Sequence, residues 1–177
     1  MKKLVYIGIM FLAVSCGGND KSGNNNDANE STGGNTSSLD MSEYNIPVSL
    51  NVPEEAAVSK AAGVQEMNGV ACYNFDIKTD DFRMNVSMMD AEPVEPLDAA
   101  IASHKRMSSR EKDFSIISEE TNGYVYKFSN SKGDNYNFVY ILVKDAREIV
   151  FTAGPSRSKN WTLEQVNVMY AAAKSAK

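Results

Sequence analysis

The stretch Tyr73-Asn74-Phe75-Asp76-Ile77-Lys78-Thr79-Asp80-Asp81-Phe82-Arg83-Met84-Asn85-Val86-Ser87-Met88 decides the fold. Tyr73, Phe75 and Ile77 alternate with polar residues, and Phe82, Met84, Val86 and Met88 do the same beyond the polar turn at Thr79-Asp80-Asp81. A period of two places each apolar set on one side of an extended strand, so the two runs read as a β-hairpin with one face on a core.

Downstream, Pro93 and Pro96 punctuate the chain, and Leu97, Ala100, Ile101, His104 and Met107 recur at helical spacing. Pro96 suits a first helical position, and Arg110 and Lys112 suit the C-terminal end, where cations meet the negative pole of the helix. Phe114, Ile116 and Ser118 open another strand, and Asn122-Gly123 supplies a turn in which positive φ costs little. Tyr124, Tyr126 and Phe128 line one face of the strand that follows. After a polar turn over 130–135, Tyr136 to Val143 are nearly all apolar, as in a central strand covered on both faces. A turn holding Asp145 and Arg147 leads to a return strand, Ile149 to Ala153. Thr162 and Gln165 have the spacing of a capping box, and Trp161 and Val166 that of a hydrophobic staple, so a last helix starts here and turns Leu163, Val166, Tyr170 and Ala173 to the sheet.

Upstream, Ile46, Val48, Leu50 and Val52 alternate until Pro53 ends the strand. The order of elements implies an α+β fold, a mostly antiparallel twisted sheet with two helices packed on it. In that order, and in the opening strand from Ile46 to Glu54 with its proline and acidic turn, residues 44–177 resemble the PsbP-like group of small exported proteins. The resemblance implies a non-enzymatic module that binds or stabilises a partner protein.

Residues 1–15 read as a signal peptide: Lys2 and Lys3, an apolar run from Leu4 to Val14, then Ser15 before Cys16. Eleven apolar residues make a helix of roughly 16 Å, against about 30 Å of bilayer hydrocarbon, which is too short to span. Leu12-Ala13-Val14-Ser15-Cys16 resembles the lipobox of bacterial lipoproteins, which implies acylation of the Cys16 thiol and cleavage before it. Ala13 and Ser15 also fit ordinary signal cleavage, which would release a soluble protein beginning at Cys16. Residues 16–43 are expected to be the lipidated cysteine and a disordered tether. From Gly17 to Asp40, Gly, Asn, Ser, Asp and Thr dominate and almost nothing is apolar. The tether acids Asp20, Asp27 and Glu30 are too sparse for a calcium cage.

The formal charge is −5, and falls to −7 when Lys2 and Lys3 leave with the signal. A chain this acidic disfavours nucleic acid as a partner. The expected partners are the lipid bilayer, through acylated Cys16, and a protein of the cell envelope; the domain is placed in the periplasm or at the cell surface. No cofactor or metal is expected. With Cys16 acylated, Cys72 has no disulfide partner and reads as a small buried hydrophobe.

His104 is the only histidine, so a catalytic triad or zinc site would have to be built on it, and its place on an apolar helix face reads as structural. A second class of function, a glycan- or anion-binding accessory protein or a hydrolase, has two candidate surfaces. One is the loop Gly154 to Lys159 before a helix N-terminus, where Arg157 and Lys159 add charge. The other is a platform of amphipathic rings from Tyr73, Tyr124, Tyr126, Tyr136 and Tyr140. The pairs Asp80-Asp81 and Glu119-Glu120 lie at or near turns and lack calcium-loop spacing.

Overall fold

The hairpin Tyr73–Met88 is present as the antiparallel pair β4 (Val70–Lys78) and β5 (Arg83–Met89), with Phe75 opposite Val86 and Ile77 opposite Met84. A computed structural model describes residues 35–91, 94–156 and 159–177. The other elements are β1 (Thr36–Asp40), β2 (Ser49–Pro53), β3 (Ala57–Met67), α1 (Leu97–Ser108), β6 (Ser115–Glu120), β7 (Gly123–Asn130), β8 (Gly133–Lys144), β9 (Arg147–Ala153) and α2 (Leu163–Lys174). Seven strands form one antiparallel sheet in the order β3-β4-β5-β9-β8-β7-β6, and β1 and β2 form a separate hairpin. The chain leaves the sheet after β5, forms α1, re-enters at the far edge as β6 and winds back until β9 lies beside β5. The fold is α+β, as the element order implies.

One face of the sheet, here the inner face, holds most of the core. Phe75, Ile77, Met84, Val86, Met88, Phe138, Ile149 and Phe151 are buried there in one cluster with Val166, Met169, Tyr170 and Ala173 of α2 and with Leu50 and Val52 of β2. Met41, Ile46 and Val48, in the link between β1 and β2, join the same cluster. Each large side chain so buried stabilises the fold by about 1.5–3 kcal/mol. α2 begins as its sequence predicts: Thr162 Oγ1 accepts from the Gln165 amide at 3.2 Å, and Gln165 Oε1 accepts from the Thr162 amide at 3.2 Å. At the other end of the helix, Ser49 and Lys177 exchange backbone hydrogen bonds at 3.1 Å, which pins the C-terminal residue to β2.

Three expectations are corrected here, and one stretch that carried no expectation resolves as a strand. Thr36–Asp40 belong to β1 rather than to a disordered tether, because Leu39 pairs with Leu50 and the chain then buries Met41 completely. The stretch after Pro53, which shows no clear alternation, forms the eleven-residue strand β3; its pattern is obscured by an exposed edge position and by a bulge between Lys60 and Gly63. The β3–β4 turn is Asn68-Gly69, with φ of 54° and 80°, the positive-φ pair that tight hairpins favour. By contrast, neither Asn122 nor Gly123 has positive φ. Gly123 is required by space instead: a Cβ there would sit 2.3 Å from the Val139 carbonyl oxygen. Finally, Pro96 caps α1 from just outside, and Lys105 and Arg106, rather than Arg110 and Lys112, occupy its last turn.

Candidate functional site

One row of cross-strand pairs, followed from edge to edge, locates the site on the other, outer face. Ser59 on β3 faces Asp76 on β4, and the row continues through Asn85 on β5, Thr152 on β9, Val139 on β8 and Tyr124 on β7 to Glu119 on β6. Directly paired residues share a face. The outer face is therefore polar along this row from β3 to β9 and turns apolar at β8. The change coincides with α1, which lies against β8 and buries Ala100 and Ile101 in a small cluster with Tyr124, Tyr126, Val139 and Ile141.

The polar half is bonded into a network. Arg83 donates from Nε at 3.0 Å and from Nη2 at 2.5 Å to Asp76 Oδ2. Asn85 Nδ2 donates to Asp76 Oδ1 at 3.1 Å, to the Phe75 carbonyl at 3.2 Å and to Asn74 Oδ1 at 2.8 Å. A carboxylate and a carbonyl can only accept, so these contacts fix which end of the Asn85 amide points inward. Asp76 is 1% exposed and is the buried charged residue among the described positions, while the Arg83 side chain is 31% exposed. Gly154 lets the backbone close over the Arg83 stem: a Cβ there would lie 2.6 Å from Arg83 Cγ, and the Gly154 amide donates to the Arg83 carbonyl at 2.7 Å. β4, β5 and the end of β9 are thus cross-linked around one carboxylate.

Where the halves meet, Asn137 Oδ1 accepts from the amides of Phe138 at 2.7 Å and Ala153 at 2.9 Å. Its side chain continues the β8–β9 ladder past the last backbone pair, Val139 with Thr152. His104 of α1 faces Glu148 of β9 at 3.7 Å and is half-buried, a structural place in keeping with its sequence context.

The residues singled out by sequence do not converge. Tyr124 and Tyr126 are buried under α1, at 0% and 7% exposure, so they are not an open ring platform; the reason is the helix that covers them. The Tyr124 hydroxyl is 3.0 Å from Ser108 Oγ, and burial, opposed by that hydrogen bond, pushes its phenol up to about 12. Tyr126 is raised by burial as well. With Phe114 and Phe128 they form a run of rings, Tyr126 standing 5.4 Å from Phe114, 5.6 Å from Tyr124 and 5.9 Å from Phe128 between centroids. Tyr73, Tyr136 and Tyr140 pack against the inner-face cluster instead.

Lys159 Nζ lies 2.6 Å from Asp81 Oδ1 in a solvent-exposed ion pair and 5.8 Å from the Trp161 ring. The Gln165 amide at the start of α2 is taken by Thr162. Arg157 and Cys16 lie outside the described residues. Cys72 is half-buried rather than buried, its Sγ 3.8 Å from the Val70 carbonyl oxygen. Glu119 and Glu120 bond separately to Lys105 of α1 and Lys174 of α2, which rules them out as a working pair in this arrangement. No three His, Cys, Asp or Glu side chains among the described residues are placed to hold a metal ion.

Sequence reasoning missed the Asp76, Arg83, Asn85 and Asn74 network. The available signal was an acid, an arginine and two asparagines on the polar side of one hairpin; its register, which the turn length sets, decides that they meet.

Fold and site together define an α+β domain whose antiparallel sheet is covered on its inner face and only half covered on its outer face. Comparison of the chain with protein-family models, with curated proteins and with solved structures finds no match.

Proposed function

We propose that this chain is a lipid-anchored lipoprotein of the bacterial cell envelope that acts as a non-enzymatic binding module. In this reading Cys16 carries the acyl chains, the segment after it is the tether, and the open half of the outer face meets a partner protein. One observation carries the contact surface: a buried Asp76, ion-paired with Arg83 and bonded to Asn85, lies on the half of the outer face against which no described helix packs substantially. Withdrawing a carboxylate from water is costly unless it is paired, so the network presents a rigid, charge-compensated polar surface rather than a mobile one. The lipobox-like run before Cys16 supports the anchor, because two or three acyl chains at about 0.8 kcal/mol per buried methylene hold a protein on a bilayer. The PsbP-like order of elements supports a partner-binding rather than a catalytic role.

Intact-mass spectrometry of membrane and soluble fractions tests the anchor. The expected result is a membrane-bound species carrying acyl mass at Cys16 that is lost in Cys16→Ala. An unacylated species beginning at Cys16 in the soluble fraction would leave a freely diffusing exported binding protein in its place.

A further inference from the structure

The hydrogen bonds that fix the Asn85 amide also decide what it leaves over. Its Nδ2 is used by Asp76, Phe75 and Asn74, so its Oδ1 remains an acceptor with no donor among the described residues. Asn74 is the mirror case: its Oδ1 accepts from Asn85, and its Nδ2 remains a donor with no acceptor among the described residues. The two amides are joined head to tail and stand half-buried on the uncovered half of the outer face. Ser87, directly opposite Asn74, and Thr152, directly opposite Asn85, add hydroxyls that bond no group among the described residues.

The chemistry of this array narrows its ligand. The charges of Asp76 and Arg83 cancel in one ion pair and the two amides are neutral, so the couple itself offers hydrogen bonds rather than charge. The rings of Tyr124 and Tyr126, which would stack on a sugar, are held under α1. Arg83, Asn85 and Ser87 follow one another at every second position of β5, a repeat of roughly 6.6–6.8 Å. An extended peptide has that same repeat along its own main chain.

We propose that the Asn74 and Asn85 amide couple binds main-chain amide groups of an extended, uncharged peptide segment lying along β5, with Ser87 and Thr152 flanking it. This rests on the binding-module reading and names the chemistry of its partner. Asn85 Oδ1 accepts from a peptide N–H while Asn74 Nδ2 donates to a peptide carbonyl, so recognition runs through the backbone and tolerates variation in partner side chains.

The test uses the isotope-labelled full chain in detergent, probed with uncharged peptides selected from a phage-displayed random dodecamer library and, separately, with neutral oligosaccharides. The expected result is that a selected peptide shifts the side-chain amide signals of Asn74 and Asn85. Asn74→Ala is expected to weaken its binding about tenfold, and Ser87→Ala, which removes a hydroxyl bonded to no group among the described residues, about threefold, each with the rest of the spectrum retained. Peptides that shift only β3 or β6 edge signals, or that bind both variants unchanged, would overturn the site while leaving a binding module. Oligosaccharides moving the two amide signals where no peptide does would overturn the peptide class but keep the surface. Failure of both libraries to move any signal would overturn the site and the binding-module reading together.

Discussion

The two halves of the outer face are made from the same row of strand positions and solve the same problem in opposite ways. Over β7 and β8, Tyr124, Tyr126, Val139 and Ile141 are removed from water by Ala100 and Ile101 of α1. Over β4 and β5, no described helix packs substantially on this face, and the positions are filled by polar side chains that bond one another: Asp76 to Arg83 and Asn85, Asn85 to Asn74. The covered half rests on area removed from water, which is non-directional. The open half rests on geometry, because a buried carboxylate is tolerated only while its partners are in place. The first should yield gradually to substitution and the second abruptly.

The sharpest way to break the comparison is Arg83→Met, which keeps the apolar stem and leaves Asp76 buried with only Asn85 to bond it. A loss of about 3 kcal/mol is expected in urea unfolding, the lower part of the range for an orphaned buried charge, since Arg83 is partly solvated. A loss below 1 kcal/mol would show that water replaces the guanidinium and that the open half is not a rigid network. On the covered half, Ile101→Ala should cost about 2 kcal/mol by the same measurement, since the helix sits at the surface and can settle into the space. Ser108→Ala removes the hydrogen-bond partner that the Tyr124 hydroxyl has among the described residues and should cost about 1 kcal/mol.

The mildest probe is alkaline titration. A buried neutral phenol has its folded value raised above the ordinary 10, so what burial of Tyr124 contributes is fully present below pH 10 and lost as pH rises toward about 12. Ultraviolet absorbance of tyrosinate should therefore show late-titrating tyrosines, Tyr124 under α1 and Tyr170 on the inner face, of which only the Tyr124 part moves toward ordinary values in Ile101→Ala. Arg83→Met should leave the Tyr124 part unchanged, and a shared response would deny that the halves are independent.

Much of the fold was legible in the sequence because alternation and helical spacing are set by burial on one face, as in Met84, Val86 and Met88 or in the Thr162 cap. β3 was not, because an edge strand buries little and its bulge at Gly63 breaks the period. The open site was harder still. Asp76, Asn85 and Asn74 occupy positions that a strand pattern assigns to solvent, and period alone cannot separate a solvated face from a buried polar network. The tyrosines were legible as one strand face, but which element covers that face depends on the path of α1, a long-range fact carried by no local run of residues.

That path also bears on how the domain is made. β3, β4 and β5 form a meander of neighbouring hairpins, and β6 to β9 form another, so each can assemble from contacts local in sequence. They join only along β5 and β9, where Met84 meets Ala153 across α1 and the whole second meander. Pairing across so long a loop carries the larger closure cost, so the seam is expected to form after the two meanders. Thr152 opposite Asn85 sits on it, so the site is expected to become complete only in the final step from two preassembled meanders to one sheet.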